Sequence, residues 1–368
     1  MKNLKAKKDR SSDQGCKRTL ILHTSDLHLS EKRQETLTAL DEILSKCREY
    51  KVDLLTIGGD LFDSERDAEV LRPKLRRMFD RNPFQIVAIP GNHDKEAYSS
   101  NLDFGPDLKI ATTEPFEVYN YERVSIVAVP FRDQLSDQLL HELENAAKDV
   151  QTRVLLLHCT LDIGFAGQDF GEEIANIYFP VTSETLSRLR YDYVLAGHFH
   201  TQTCKKPLNG KRFFIYPGSP VSHTKKEKGK RQAVLIDTEK GETQAILLDS
   251  FYYDSVQFYV RPGKEEGTLQ ALKEWKTLHS ADSCKLEVVV NGFLKISELE
   301  FRKALERVAE DAEILHAYRN VERVLDHPLY KRFLAKLEAD EEIEDKEKVE
   351  SFVIDAMSRL LAERRLRE

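Results

Sequence analysis

The chain has 368 residues, 40% hydrophobic and 32% charged, a balance that suits a soluble globular protein of two domains, or of one domain with an appendage. The formal net charge is −7, with +5 in the first 18 residues and −12 in the remainder, so bulk charge gives no ground for nucleic-acid binding and any phosphate-binding surface must be local. No apolar run reaches membrane-span length, the basic N-terminus lacks the apolar segment of a secretory signal, and five scattered cysteines without a CxxC exclude a disulfide framework and a thiolate zinc site, so a reducing cytoplasm is expected.

Residues 1–17 read as a disordered tail. Three apolar runs follow, each ending in an acid- and histidine-bearing motif. Leu20-Ile21-Leu22-His23 leads into Ser25-Asp26-Leu27-His28, and Leu54-Leu55-Thr56-Ile57 into Gly58-Gly59-Asp60-Leu61-Phe62-Asp63. The third, Ile86-Val87-Ala88-Ile89, leads into Pro90-Gly91-Asn92-His93-Asp94. Such runs read as buried strands carrying ligand loops at their carboxyl ends, where open α/β sheets place their sites. Between the first two, Leu37, Leu40, Ile43, Leu44 and Cys47 recur at helical spacing, so residues 36–50 predict a crossover helix, and residues 67–80 repeat it.

Beyond Asp94, residues 116–119 and 124–129 flank a turn and predict an antiparallel pair. A helix over 134–148 precedes a fourth buried strand, which ends at His158, and then an irregular stretch, 162–180, placed to lie over the site. A fifth strand, 193–196, ends in Gly197-His198-Phe199-His200, and strands near 212–216, 232–237 and 243–248 are expected to complete a second sheet. From about residue 250 the pattern changes to a βαβαβ block: strand 255–260, helix 268–279, strand 285–290, helix 297–310, strand 313–318. A helix over 326–337, an acidic run and a final helix follow.

The strand ends collect Asp26, His28, Asp60, Asn92, His158, His198 and His200. Carboxylates, imidazoles and an amide oxygen without thiolate suit divalent manganese, iron or zinc. Seven donors are too many for one ion and right for two sharing one carboxylate, the arrangement that clamps both oxygens of a phosphoryl displacement and makes hydroxide near neutral pH. Gly58, Gly59 and Gly91 allow backbone to pass where a Cβ would crowd the ions. His23, His141, His223, His279, His316 and His327 read as structural histidines, and Cys159 reads as core.

The series DxH, GDxxD, GNHD, a strand-end His and GHxH resembles the calcineurin-like metallophosphoesterase superfamily. With Gly59-Asp60-Leu61-Phe62-Asp63, Pro90 to Asp94 and the later Tyr216-Pro217-Gly218-Ser219-Pro220, it is similar to the SbcD-type DNA repair exonuclease branch. The resemblance implies an α/β fold, a double β-sheet sandwich flanked by helices, with a small α+β capping domain and a C-terminal helical tail: catalytic domain 18–250, capping domain 251–325, helical segment 326–368. It implies a two-metal phosphodiesterase, a cytoplasmic DNA nuclease acting as an exonuclease, with a metallophosphoesterase acting on a small diester, a phosphomonoester or a phosphoprotein as the alternative. Asp26, His28, Asp60 and His200 would hold one ion, and Asp60, Asn92, His158 and His198 the other, both manganese, or else iron or zinc. His93 matches the catalytic histidine, Asp63 would orient it, and Asp94 would be structural.

Two further features concern partners. Lys225, Lys226, Lys228, Lys230 and Arg231, interrupted by one acid, Glu227, form a basic loop that is either a DNA-phosphate surface or a solvated hairpin turn. In the last helix Val349, Phe352, Val353, Ala356, Met357, Leu360 and Leu361 form an apolar stripe. It either folds back on the helix 326–337 or the cap, or docks on a partner. The resemblance names that partner as an SbcC-type coiled-coil ATPase, with the acidic run as a flexible tether; a homodimer is also left open.

Overall fold

In a computed structural model of the chain, residues 18–98, 103–121, 123–146, 150–162, 179–201, 204–279 and 282–365 are described. The tail expected at 1–17 and most of the stretch 162–180 lie outside them. The chain divides into two compact units, one ending at Tyr252 and the other beginning at Tyr253. No helix among the described residues is long and apolar enough to cross a membrane.

The first unit opens with β1 (Leu20–Thr24), α1 (Gln34–Glu49), β2 (Leu54–Ile57), α2 (Glu65–Met78), β3 (Gln85–Ala88) and β4 (Leu108–Ile110). Four parallel strands result, because α1 and α2 carry the chain back across one face between strands. α2 starts where Ser64 accepts a hydrogen bond from the Asp67 amide, a side-chain cap of the usual kind. Next come β5 (Glu117–Tyr121), β6 (Val124–Ala128), α3 (Asp137–Ala146), β7 (Thr152–His158), β8 (Thr160–Leu161), β9 (Pro180–Val181) and α4 (Ser183–Arg188). The unit closes with β10 (Tyr193–Gly197), β11 (Cys204–Asn209), β12 (Arg212–Tyr216), β13 (Gln232–Asp237) and β14 (Glu242–Leu247).

Two six-stranded sheets form, ordered β14-β13-β1-β2-β3-β4 and β11-β12-β10-β7-β6-β5. The strands expected near 232–237 and 243–248 therefore belong to the first sheet, not the second: β13 pairs antiparallel with β1, Leu22 opposite Leu235. Only β12 joins the second sheet, beside β10. Alternate side chains explain the layering. Ile21, Leu54, Val87, Ile126, Val154, Leu195 and Ile215 pack between the sheets, while Leu22, Leu55 and Ile86 turn outward onto α1 and α2. Val127, Leu155 and Val194 do the same on the other side, with Leu139 and Leu186 of α3 and α4. The result is a sandwich with helices on both outer faces.

At one end the sheets meet backbone to backbone. A Cβ at Gly58 would lie 2.9 Å from the Gly197 nitrogen, and one at Gly197 only 2.3 Å from the Gly58 oxygen. That contact draws the carboxyl ends of β1, β2 and β3 against those of β7 and β10. His23, facing the second sheet, bridges the same region through Thr56 Oγ1 at 3.0 Å and the Ala196 carbonyl at 3.3 Å.

The second unit contains β15 (Tyr252–Val260), α5 (Glu265–His279), β16 (Cys284–Leu294), α6 (Glu298–Val308), β17 (Glu313–Asn320), α7 (Glu322–Asp326), α8 (Pro328–Ala339) and α9 (Lys346–Arg365). Its sheet runs β15-β16-β17, and Leu272, Phe301 and Leu305 of α5 and α6 cover one face. The helix expected over 326–337 is α8, begun at Pro328 because His327, whose ring accepts from the Leu329 amide, caps it, while Asp326 ends α7.

The terminal apolar stripe folds back. Ile354, 2% exposed, packs with Phe293, Val321, Val324 and Tyr330, and Val353, Met357 and Leu361 flank it. Tyr330 Oη donates to Glu350 at 2.5 Å, and Arg319 pairs with Asp355. The acidic connection is accordingly a short turn rather than a tether, its far end tied by Lys346 Nζ to the Glu338 carbonyl at 2.8 Å. Phe352 and Leu360, 66% and 60% exposed, lie outside this packing. Ile354→Ala should therefore destabilise the second unit by about 2–5 kcal/mol, and Phe352→Ala by less than about 0.5 kcal/mol. Urea unfolding of the two variants checks this, and equal midpoints would contradict the packing described.

Candidate metal centre

The loops after β1 and β2 run side by side, the Asp26 amide donating to the Gly59 carbonyl and the His28 amide to the Asp60 carbonyl, both at 3.0 Å. This holds Asp26, His28 and Asp60 with φ of 54°, 44° and 48°, and His198 has φ 117°. Non-glycine residues adopt such backbone rarely, and its concentration at candidate ligands marks a functional site rather than a relaxed turn. Asp94 secures the third loop: its buried carboxylate accepts from the Gly91 amide at 2.7 Å, the Phe62 amide at 3.1 Å and Tyr98 Oη at 2.6 Å. Burial and the neighbouring Asp60 charge push its pKa up to about 6. Gly91 passes so close that an added Cβ would sit 2.1 Å from Asp60 Oδ1.

All seven expected donors come together, in two groups sharing Asp60. In one, His28 Nε2 lies 3.2 Å from His200 Nε2 and 3.8 Å from Asp60 Oδ2, with Asp26 Oδ1 4.0 Å from His200 Nε2. In the other, His158 Nε2 lies 3.3 Å from Asp60 Oδ2 and 2.8 Å from Asn92 Oδ1. His158 Nδ1 donates to the Gly58 carbonyl at 2.8 Å, which turns Nε2 toward these oxygens. The His198 amide donates to both Asp26 oxygens at 3.1 Å, and its ring lies 5.4 Å from that of His158.

The electrostatics are those of a cation site. Burial alone would raise the Asp60 pKa, but the facing imidazoles of His158, His28 and His93 outweigh it and keep the carboxylate ionised. Burial likewise opposes charge on His158, and Asp60 overcomes it, lifting that pKa to about 9. His198 is lowered to about 4 by burial and by His158. His23, lowered to about 4 by burial, stays neutral and structural.

Asp63 lies between two imidazoles, its Oδ1 3.5 Å from His28 Nδ1 and its carboxylate within 4.8 Å of a His93 nitrogen. The reason is that both loops bend at positive φ, bringing the end of the second motif beside the first. His93 itself is exposed at the rim, its ring 4.7 Å from that of His28 and its amide donating to Asp60 Oδ1 at 2.9 Å. Arg231 is buried rather than DNA-facing, because its guanidinium satisfies the carbonyls of Ser219, at 2.9 Å, and of His200. Lys225, Lys226, Lys228 and Lys230 are exposed, the last 3.8 Å from Asp249.

His223, expected to be structural, lies beside the site, ring centroids 4.7 Å from His28 and 5.1 Å from His200. Arg33 can only donate, so His223 Nδ1 accepts from it at 2.8 Å and Nε2 carries the hydrogen, shared by Ser219 Oγ at 2.8 Å and the Asp26 carbonyl at 3.0 Å. Both nitrogens are thus engaged and His223 braces the ligand loop, while its ring stands with those of His28 and His200, ligand atoms within 4.8 Å of one another. Nothing in its sequence surroundings sets it apart from other loop histidines. The only local signal is its spacing, four residues before Glu227.

A family model for calcineurin-like phosphoesterases matches residues 19–202, half of the chain, and spans every one of the seven donors. The chain belongs to the calcineurin-like phosphoesterase family. This phosphoesterase is 26% identical over 259 residues to the D subunit of nuclease SbcCD from Bacillus subtilis, covering 59% of this chain and 65% of that one. It is 28% identical over 234 residues to the DNA double-strand break repair protein Mre11 of Haloferax volcanii, covering 60% and 49%. The match thus spans about half to two thirds of those relatives' lengths. Among solved structures, TT1561 of Thermus thermophilus is similar at 15% identity with a TM-score of 0.44, over 63% of this chain and 99% of that one.

A calcineurin-like phosphoesterase is a hydrolase built around a dimetal centre, and the residues present fit one. Two donors each about 2.1 Å from an ion, at angles of 90–110°, lie roughly 3.0–3.4 Å apart, close to the spacings around His28, His200, Asp60 and His158. Asp26, Asp60 and His158 also bring ligand atoms within 4.8 Å of one another. Asp60→Asn in this phosphoesterase should lower bound divalent metal at both positions, and Gly91→Ala should do the same by displacing the Asp60 carboxylate. Metal analysis after dialysis checks both, and a fully loaded Asp60→Asn protein would refute the shared carboxylate.

Proposed function

We propose that the chain is a two-metal-dependent DNA nuclease, a phosphodiesterase of SbcD type acting as an exonuclease in DNA repair, with manganese as its metal. The observation that carries the reading is His93, exposed at the rim of a seven-donor centre and tied by its amide to the shared carboxylate. Two bound ions would supply Lewis-acid activation of the phosphodiester and a hydroxide nucleophile near neutral pH. Asp26, His28, Asp60 and His200 would hold one and Asp60, Asn92, His158 and His198 the other. His93 then faces the phosphoryl group, stabilises the charge that develops there and protonates the departing sugar oxygen. Asp94 keeps the loop bearing His93 in register with the second motif. DNA as substrate is supported by the names of the relatives and by the exposed lysines beside the His200 side of the centre.

End-labelled duplex DNA and a chromogenic phosphomonoester, each with manganese, magnesium or chelator, test the proposal. DNA should be digested with manganese and spared with chelator, and His93→Ala should retain its metals while losing roughly 100-fold or more in rate. Neutralising Lys225, Lys226 and Lys228 should flatten the salt dependence of duplex binding by roughly 0.9 per lost contact, with small-diester hydrolysis unchanged. Turnover of the monoester alone would overturn the DNA assignment.

The Bacillus subtilis relative is by name one subunit of a nuclease. The corresponding partner here is an SbcC-type coiled-coil ATPase, received by the outward face of α9 that Phe352 and Leu360 occupy. Phe352→Glu combined with Leu360→Glu should abolish co-purification with that ATPase and leave the melting temperature unchanged. Undiminished co-purification would reject this face.

A further inference from the structure

The lysine run after the last motif hides one residue that points the other way. Glu227 is 1% exposed, whereas Lys225, Lys226 and Lys228 around it are exposed. A carboxylate is tolerated in the interior only where donors meet it. Its donors are specific: Oε1 faces His200 Nδ1 at 3.3 Å, and Oε2 accepts from the His223 amide at 2.7 Å. Thr224 Oγ1 lies 3.3 Å from Oε1, and the Glu227 carbonyl accepts from Ser222 Oγ at 2.6 Å.

The segment carrying Glu227 is anchored at both ends. Arg33, from the loop before α1, donates to His223 Nδ1 and to the Ser222 carbonyl at 3.0 Å. Arg231 donates to the carbonyls of Ser219 and of His200 itself. One segment therefore grips both the backbone and the ring of a candidate ligand. The consequence is chemical: an ionised carboxylate only accepts, so the hydrogen of the neutral His200 ring is drawn to Nδ1, and the Nε2 lone pair is turned toward His28 and Asp26.

We propose that Glu227 is a positioning residue for one half of the metal centre, holding His200 in the tautomer and orientation that ligate through Nε2, with Arg33, His223 and Arg231 bracing the segment. This rests on the metal reading of the site and is independent of whether the substrate is DNA.

Two measurements on the full chain test it without any turnover assay. In metal-free protein with ¹⁵N-labelled histidine, the His200 ring, assigned by its loss in His200→Asn, should be protonated on Nδ1, and Glu227→Ala should shift it toward the Nε2–H form. In manganese titrations followed by equilibrium dialysis, wild type should bind two ions, while Glu227→Ala should weaken one by about 10–100-fold and leave the other near its wild-type affinity. Glu227→Gln, whose amide oxygen can serve only one of the two donors, should fall between. Wild-type tautomer and affinities in Glu227→Ala would overturn the proposal, as would equal weakening of both ions with a lower metal-free melting temperature, the mark of a merely structural role. If the alanine variant does not fold, Glu227→Met, of similar length and without an oxygen acceptor, decides by the same two readings: a shifted tautomer with one weakened ion supports the proposal, and unchanged values reject it.

Discussion

The contact between Gly58 and Gly197 is the constraint on which the rest of the centre depends. Two sheets packed through side chains ordinarily stand about 10 Å apart, too far for donors on one to meet donors on the other around a single small ion. Where both sheets present glycine, the gap closes to backbone contact. Strand ends of different sheets can then contribute to one cluster, Asp26, His28, Asp60 and Asn92 from the first and His158, His198 and His200 from the second.

Convergence of this kind has electrostatic and conformational costs. Asp26 and Asp60 are both taken out of water, and imidazoles and backbone amides surround them. An isolated buried carboxylate would instead neutralise itself by a raised pKa, as Asp94 does in part. That Asp60 stays ionised while Asp94, in the next loop, is pushed up separates a charge available to cations from one used to hold a loop. Positive φ at Asp26, His28, Asp60 and His198 is the conformational counterpart. It persists because paired loops and buried hydrogen bonds over-determine it.

The segment from Ser219 to Arg231 shows how one loop can serve two environments. Its lysines face solvent, while Glu227 and Arg231 turn in and His223 braces the loop that bears Asp26. Basic character in the sequence is thus a property of only one side of the loop. Reading all five cations as one surface fails at Arg231 because two carbonyl acceptors inside the molecule are within its reach.

What the sequence determined by itself were the features that local chemistry dictates. Apolar runs marked β1, β2, β3, β7 and β10, 3.6-residue periodicity marked α1, and turn residues placed the seven donors at strand ends, because each of these depends on neighbours a few positions away. The tertiary structure alone decided the placement of β13 and β14 in the first sheet, since strand pairing is a long-range choice that alternation does not encode. It alone put Asp63 on His28 and turned Glu227 inward, since irregular loops have no period to say which side chain faces the core. It also brought α9 back onto α7 and α8 through Ile354, a residue outside the predicted stripe: an amphipathic helix carries the need for an apolar surface in its sequence, and only the folded chain supplies the surface that meets it.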